Sequence, residues 1–150
     1  MSKITPFLWF DNQAEEAMNH YVSIFKNSRI LNVGRANGKV LSVTFELEGQ
    51  QFIALNGGPQ FKFSEATSFF VNCETQEEID ELWEKLSQGG EKGRCGWLKD
   101  RFGLSWQIVP SALRKLTNDP DPEKAKAVFQ AMLKMKKIVI EDLQRAYAAA

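Results

Sequence analysis

Large apolar residues alternate with small or polar ones along "FGLSWQIVP" (102–110), with Phe102, Leu104, Trp106 and Ile108 set against Gly103, Ser105 and Gln107. A period of two predicts a strand with one face packed and the other open. The same alternation, rich in aromatics, predicts a strand over "ITPFLWF" (4–10). The period then lengthens: Ala14, Ala17, Met18, Tyr21, Val22 and Phe25 recur at three and four residues, the buried stripe of an amphipathic helix. Glu15, Glu16, Asn19, His20 and Ser23 take its polar side. A strand near 29–35 leads to Asn37-Gly38, a strong hairpin signal. "KVLSVTFELEG" and "QQFIALN" are two further strands, so the first half reads β-α-β-β-β.

The segment 57–66, "GGPQFKFSEA", reads as a linker or a lid, with Phe61 and Phe63 placed either for closure or for local packing. The pattern then restarts. "TSFFVNC" is a strand, and Thr75 with Glu78 forms a capping box. Ile79, Leu82, Trp83 and Leu86 line the helix that follows, which Gly89-Gly90 ends. Two or three short strands complete a second β-α-β-β(-β) unit. "FDNQ" (10–13) matches "CETQ" (73–76) at an offset of 63, and "IALN" (53–56) matches "LSWQ" (104–107) at an offset of 51. Each unit is expected to bury its helix on one sheet face and leave the other concave. The expected class is α+β, a single domain over 1–150 with repeats at 3–57 and 66–110 and a helical tail over 111–150. In that tail Asp121 is the N-cap and Pro122 the first helical residue; Ala125, Val128, Phe129, Met132 and Met135 form packing surface, and "EDLQRAYAAA" is a last short helix.

Composition narrows the classes. The 150 residues suffice for one domain burying about two-thirds of its unfolded surface. Nineteen basic and nineteen acidic side chains cancel, which argues against a nucleic-acid or membrane-surface partner. No apolar run reaches the roughly 20 residues of a membrane helix, and the N-terminus lacks a signal-peptide pattern, so a cytoplasmic location is expected. Cys73 and Cys95 have neither metal nor redox spacing and read as inert thiols.

"ITPFLWFDNQAEEA", "FIALNGGP", "SFFVNCETQEEID", "CGWLKDRFGLSWQIVP" and "DPDPEKAKAVFQAMLKMKKI" together resemble PhnB-type proteins. These belong to the vicinal oxygen chelate (glyoxalase, bleomycin-resistance, extradiol-dioxygenase) superfamily, and many carry the name 3-demethylubiquinone-9 3-methyltransferase. The resemblance covers almost the whole chain. It implies two paired βαβββ modules forming a concave half-barrel sheet, and a homodimer. In metal-dependent members, strands one, four, five and eight each supply one ligand, usually His, Glu or Gln. Aligned on the strands, those places fall near Thr5, Asn56, Ser68 and Gln107, pairs related by the offsets of 63 and 51.

Thr, Asn, Ser and Gln bring no charge and weak donor strength, so no metal and no cofactor are expected. Glu46 is the nearby carboxylate that could join a metal site, or simply a solvated strand residue. His20, the one histidine, sits on the polar side of the first helix, away from the concave face. "LNGGP" follows a strand but precedes a loop rather than a helix, unlike the common glycine turn for S-adenosylmethionine. The expectation is a small-molecule ligand held by Thr5, Phe7, Trp9, Asn56, Ser68, Phe70, Ser105 and Gln107, with Phe52 on the same face. A methyltransferase-type enzyme, a metal-dependent glyoxalase- or dioxygenase-type enzyme, and a sequestering dimer remain alternatives, and whether any reaction is catalysed stays open.

Overall fold

Residues 2–150 are described by a computed structural model. The chain divides into two compact units, the first ending at Phe63 and the second beginning at Ser64. The first contains β1 (Phe7–Phe10), α1 (Ala14–Ile24), β2 (Ser28–Ala36), β3 (Lys39–Leu47) and β4 (Gln50–Asn56). The strands form one open sheet in the order β1-β4-β3-β2, with β1 parallel to β4 and the other pairs antiparallel. Asn37 and Gly38 both adopt positive φ, 53° and 77°, as the tight β2–β3 turn requires. The face covered by α1 carries Leu8, Phe10, Val43, Phe45, Phe52 and Ala54, all buried, as are Ala17, Met18 and Tyr21 of the helix.

The second unit repeats the plan with β5 (Ser68–Cys73), α2 (Gln76–Ser87), β6 (Glu91–Lys92), β7 (Trp97–Lys99) and β8 (Ser105–Pro110), in the sheet order β5-β8-β7-β6. Here β5 runs parallel to β8. Thr75 Oγ1 accepts from Glu78 N at 3.2 Å and Glu78 Oε1 accepts from Glu74 N at 2.9 Å, which realises the expected capping box one residue out of step. The buried stripe Ile79, Leu82, Trp83 and Leu86 is the one its spacing predicts. Two four-stranded sheets, each with a helix on one face, are the paired βαβββ modules that the resemblance implied.

Three further helices follow: α3 (Ser111–Thr117), α4 (Pro122–Leu133) and α5 (Ile140–Ala149). Asp121 caps α4 with its carboxylate on Glu123 N at 3.0 Å, and Pro122 opens it. Val109, Leu113, Val128, Ile138 and Leu143 form a core of their own, extended by Leu116, Met132, Met135 and Tyr147. The tail is tied to the second sheet by backbone. Cys95 N and Gly96 N donate to Met135 O and Lys136 O, and Gln76 bridges Ile138 O and Ile140 N through its side-chain amide.

Two strands are shorter than the alternation predicts. β1 begins at Phe7 rather than residue 4. β8 begins at Ser105, because 102–104 form a turn rather than strand. The cause is Asp100, 2% exposed, whose Oδ1 accepts from Phe102 N and Leu104 N and whose Oδ2 accepts from Trp106 Nε1. Those bonds fold the backbone back on itself before the strand can start, and Gly103 takes the positive φ of 91° that the turn requires.

Candidate functional site

Register assigns the faces. In the second unit Ser68, Phe70 and Asn72 of β5 lie beside Ser105, Gln107 and Val109 of β8, and Gln107 and Ser105 lie beside Trp97 and Lys99 of β7. These eight side chains share the face opposite α2. Phe69, Val71, Trp106, Ile108 and Leu98 take the helix side, where Trp106 is 2% exposed. Four of the expected site residues are therefore brought together: Ser68, Phe70, Ser105 and Gln107. Gln107 Nε2 donates to Ser68 Oγ at 3.0 Å. Ser105 is 1% exposed, and its hydroxyl is buried with no hydrogen-bond partner among the described residues. Phe70 is 48% exposed. Val109, at the far end of the face, is covered by the helical tail.

Besides Asn72, Val109 and Glu91, the cross-strand neighbour of Lys99 on β6, sequence reasoning missed Trp97 and Lys99 on this face. Their signal was the alternation Trp97-Leu98-Lys99, too short to read alone. Lys99 Nζ forms an ion pair with Glu65, which lies three residues ahead of Ser68. Lys99 and Ser68 flank Ser105 on either side of β8, so the pair bridges that strand at the end where the orphan hydroxyl lies. The Lys99 ammonium beside Glu65 holds its carboxyl below the ordinary value, and the Lys99 pKa is raised in return.

In the first unit Phe7 and Trp9 of β1 share the open face with Ile53 and Leu55 of β4 and with Thr44 and Ser42 of β3. Phe7 is 57% exposed. Thr5 lies two residues before β1 and is half-buried. Trp9 is held by a 2.9 Å hydrogen bond from Nε1 to Gly58 O and by the edge of Phe61, with ring centroids 4.9 Å apart. Phe63 packs on Phe10 at 5.2 Å, and Gly57 N and Gly58 N donate to Phe10 O and Asp11 O. The 57–63 segment is thus laid down on the end of β1. Glu46 does lie on the open face, beside Gln51, and accepts from Arg29 Nε at 3.0 Å.

Asn56 and Phe52 correct the expectation. Asn56 pairs with Phe10 and has the parity of Phe52 and Ala54, so it points to the α1 side. Its Oδ1 accepts from Ala14 N at 2.8 Å and its Nδ2 donates to Val40 O at 3.2 Å. Gln13, at the N-cap position, makes no side-chain cap, so Asn56 supplies one across 42 residues of chain. Phe52 is buried beneath α1 and stacks on Phe45 at 5.4 Å. The cause is register. Phe7 aligns with Ile53 and Phe70 with Gln107, so the β4-to-β8 offset is 54 (107 − 53) rather than 51. The difference of three is odd and reverses the face. The counterpart of Gln107 is Ile53.

His20 sits half-buried on α1 beside Tyr21, on the helix side of its sheet. Cys73 is buried and Cys95 half-buried, both free. Burial, with the Glu78 and Glu74 charges, pushes the Cys73 thiol up to about 12.

The donor set does not fit a divalent metal. The family positions on the open faces offer hydroxyls, one amide and, at Ile53, a hydrocarbon. No group of three or more His, Cys, Asp or Glu that could hold an ion occurs among the described residues. Neutral oxygen donors of this kind do not offset the dehydration of zinc or iron.

The family model described as 3-demethylubiquinone-9 3-methyltransferase matches residues 2–109. The chain belongs to that PhnB-like family. A PhnB protein from Bacillus cereus is 39% identical, with a TM-score of 0.69, over 73% of this chain and 100% of its own. A Pseudomonas aeruginosa protein, 19% identical, shares the fold with a TM-score of 0.59 over 73% of this chain and 96% of its own. No curated protein matches. The family match ends at the close of β8, so the helical tail lies outside it. No helix is long and apolar enough to cross a membrane, among the described residues.

Proposed function

We propose that this family member binds a small molecule, without a metal, on the open face of its second module. The observation that carries the reading is a half-exposed aromatic surface set with neutral hydrogen-bonding groups, among them a buried hydroxyl that lacks a partner. Small-molecule sites combine apolar walls with a few placed polar groups. A buried polar group left unpaired costs about 1–3 kcal/mol, which a ligand or water meeting it would recover. On the strength of the family likeness, the reading takes the protein to be a homodimer in the cytoplasm. Methyl transfer, which the family name states, is the alternative reading.

Two measurements test this reading on the full chain. Metal analysis after purification without chelators is expected to find far less than one ion per chain; a stoichiometric transition metal overturns the metal-free reading. A thermal-shift screen against a metabolite library is then run on wild type and Gln107→Leu, since a ligand that prefers the native state raises the melting temperature. Stabilisation seen in wild type and lost in the variant is the expected result. A ligand response that Gln107→Leu leaves unchanged removes the site. A saturable response to S-adenosylmethionine would instead favour the methyltransferase reading.

A further inference from the structure

The open face of the second module is organised in two adjacent rows. One row, across β5, β8 and β7, is Phe70, Gln107 and Trp97; the other is Ser68, Ser105 and Lys99, continued on β6 by Glu91. Phe70 and Trp97 stand two strand spacings apart, about 9.5 Å. With both side chains projecting straight from the sheet, a planar ring halfway between them would lie about 5 Å from each, within the range of about 4.5–7 Å that aromatic pairs prefer. Gln107 forms the floor of that slot, and its Oε1 is left over once Nε2 has been given to Ser68. Neither Phe70 nor Trp97 stacks on another ring among the described residues, although other aromatics of this unit do, such as Phe69 on Trp106 at 5.5 Å.

The second row begins two residues, about 6.6 Å, further along the strand. It carries two hydroxyls, one of them buried and unpartnered, with the Lys99–Glu65 pair bridging over them. Both ends of that pair are in contact with water, with side chains 36% and 62% exposed, and exposed pairs of this kind are weak. Lys99 is the cation of this face; the carboxylate paired with it, Glu65, lies ahead of β5, and Glu91 is its cross-strand neighbour on β6. An incoming anion can therefore take Glu65's place at the ammonium while Ser68 donates to it, and the Ser105 hydroxyl joins where that exchange uncovers it.

We infer that this face selects an aryl carboxylate, its ring between Phe70 and Trp97 above Gln107 and its carboxylate exchanged for Glu65 at Lys99. This deepens the small-molecule reading and rests on it. The ligand lies along the two rows, ring over one and charge over the other, and no covalent step is involved.

The test uses the full chain, isotope-labelled, titrated with phenylacetate and with its neutral isostere phenylacetamide while amide and indole resonances are followed. Phenylacetate is expected to give saturable shifts centred on the Trp97 indole, Ser105 and Gln107, and to bind roughly tenfold more tightly than the amide, the scale of one charge-assisted contact. Lys99→Met is expected to abolish that preference while leaving the weaker amide binding in place. Glu65→Gln, which removes the paired carboxylate and leaves Glu91 in place, is expected to tighten phenylacetate several-fold. Equal binding of acid and amide at these resonances, unaffected by Lys99→Met, overturns the carboxylate assignment and leaves the small-molecule site standing. Shifts scattered elsewhere, or none up to tens of millimolar, overturn the slot itself, and the library screen with Gln107→Leu then decides separately whether the face binds anything. Thermal melts of both variants within a few degrees of wild type establish that the fold is intact.

Discussion

Asp100 is the side chain on which the start of β8 depends, and its contribution can be resolved bond by bond. Its carboxylate is buried and accepts from Phe102 N at 2.9 Å, Leu104 N at 3.0 Å and Trp106 Nε1 at 2.9 Å. Asp100→Ala removes the acceptor of all three bonds. Leu104 and Trp106 are buried, so their donors stay dry, whereas Phe102 N is reached by solvent more easily. With about 1–3 kcal/mol for each buried donor left unpaired, the loss comes to roughly 3–5 kcal/mol. Asp100→Asn is a sharper probe. The amide oxygen can keep the two backbone donors, but its NH2 then faces the indole N–H, and the one broken contact costs about 1–3 kcal/mol. Trp106→Phe removes that indole donor. In the Trp106→Phe background the Asn substitution is therefore expected to cost less than in wild type, with a coupling energy of about 1 kcal/mol or more. Urea unfolding followed by tryptophan fluorescence and circular dichroism measures all four corners of the cycle. Equal losses for Asp100→Asn and Asp100→Ala, or a cost of Asp100→Asn that Trp106→Phe leaves unchanged, would refute the assignment of Oδ2 to the indole.

Asn56→Ala, which takes the cap from Ala14 N, should destabilise by about 1–2 kcal/mol in denaturant melts and leave any ligand-induced stabilisation of the second module intact; loss of that response would place Asn56 in the site after all. Gly57→Ala puts a Cβ 2.4 Å from the Trp9 ring, so it should cost about 1–3 kcal/mol by overpacking and shift the tryptophan emission; a neutral melt with unchanged emission would mean that Trp9 is not held against this loop. The Cys73 thiol, raised from 9.0 to about 12, stays neutral in the folded chain while an unfolded thiol ionises. Its contribution is complete below pH 9 and is lost as pH climbs from 9 toward 12, at about 1.4 kcal/mol per unit once the unfolded thiol is ionised. Stability measured between pH 8 and 10.5 should therefore fall less steeply in Cys73→Ala than in wild type, and equal slopes would remove Cys73 as the source.

Much of the fold was written in periodicity. The stripe of α2, that of α1 save that Ile24 rather than Val22 is buried, the Asn37-Gly38 turn, the Thr75 capping box and the Asp121–Pro122 start all depend on contacts within a few residues, and stand where the spacing put them. The site was legible in part. Ser68, Phe70, Ser105 and Gln107 do meet on one face because the offset of 63 between β1 and β5 holds, as Phe7 and Phe70 are both exposed and Phe10 and Cys73 both buried. Asn56 was misplaced because β4 is apolar on both sides. In Phe52-Ile53-Ala54-Leu55 no polar alternate marks the open face, so the chain itself does not say which parity turns toward α1. The early end of alternation at 102–104 was hidden for another reason. Leu104 is as buried in a turn as it would be in a strand, and only the distant acceptor at Asp100 distinguishes them. Lys99 and Trp97 lay in a strand of three residues, below the length at which a period can be counted.

The way the helical tail is attached bears on what a shortened form of this protein would be. Its Bacillus relative is matched from end to end by 73% of this chain, and the family model stops at residue 109, so a cut after β8 would yield a polypeptide of the relative's dimensions. It would not yield the relative's behaviour. Val109 would lose its cover, Gln76 both of its backbone partners, and the amides of Cys95 and Gly96 their acceptors. The β6–β7 hairpin is closed here by carbonyls borrowed from the tail, and trimming the tail back would require several simultaneous repairs in the module it left behind.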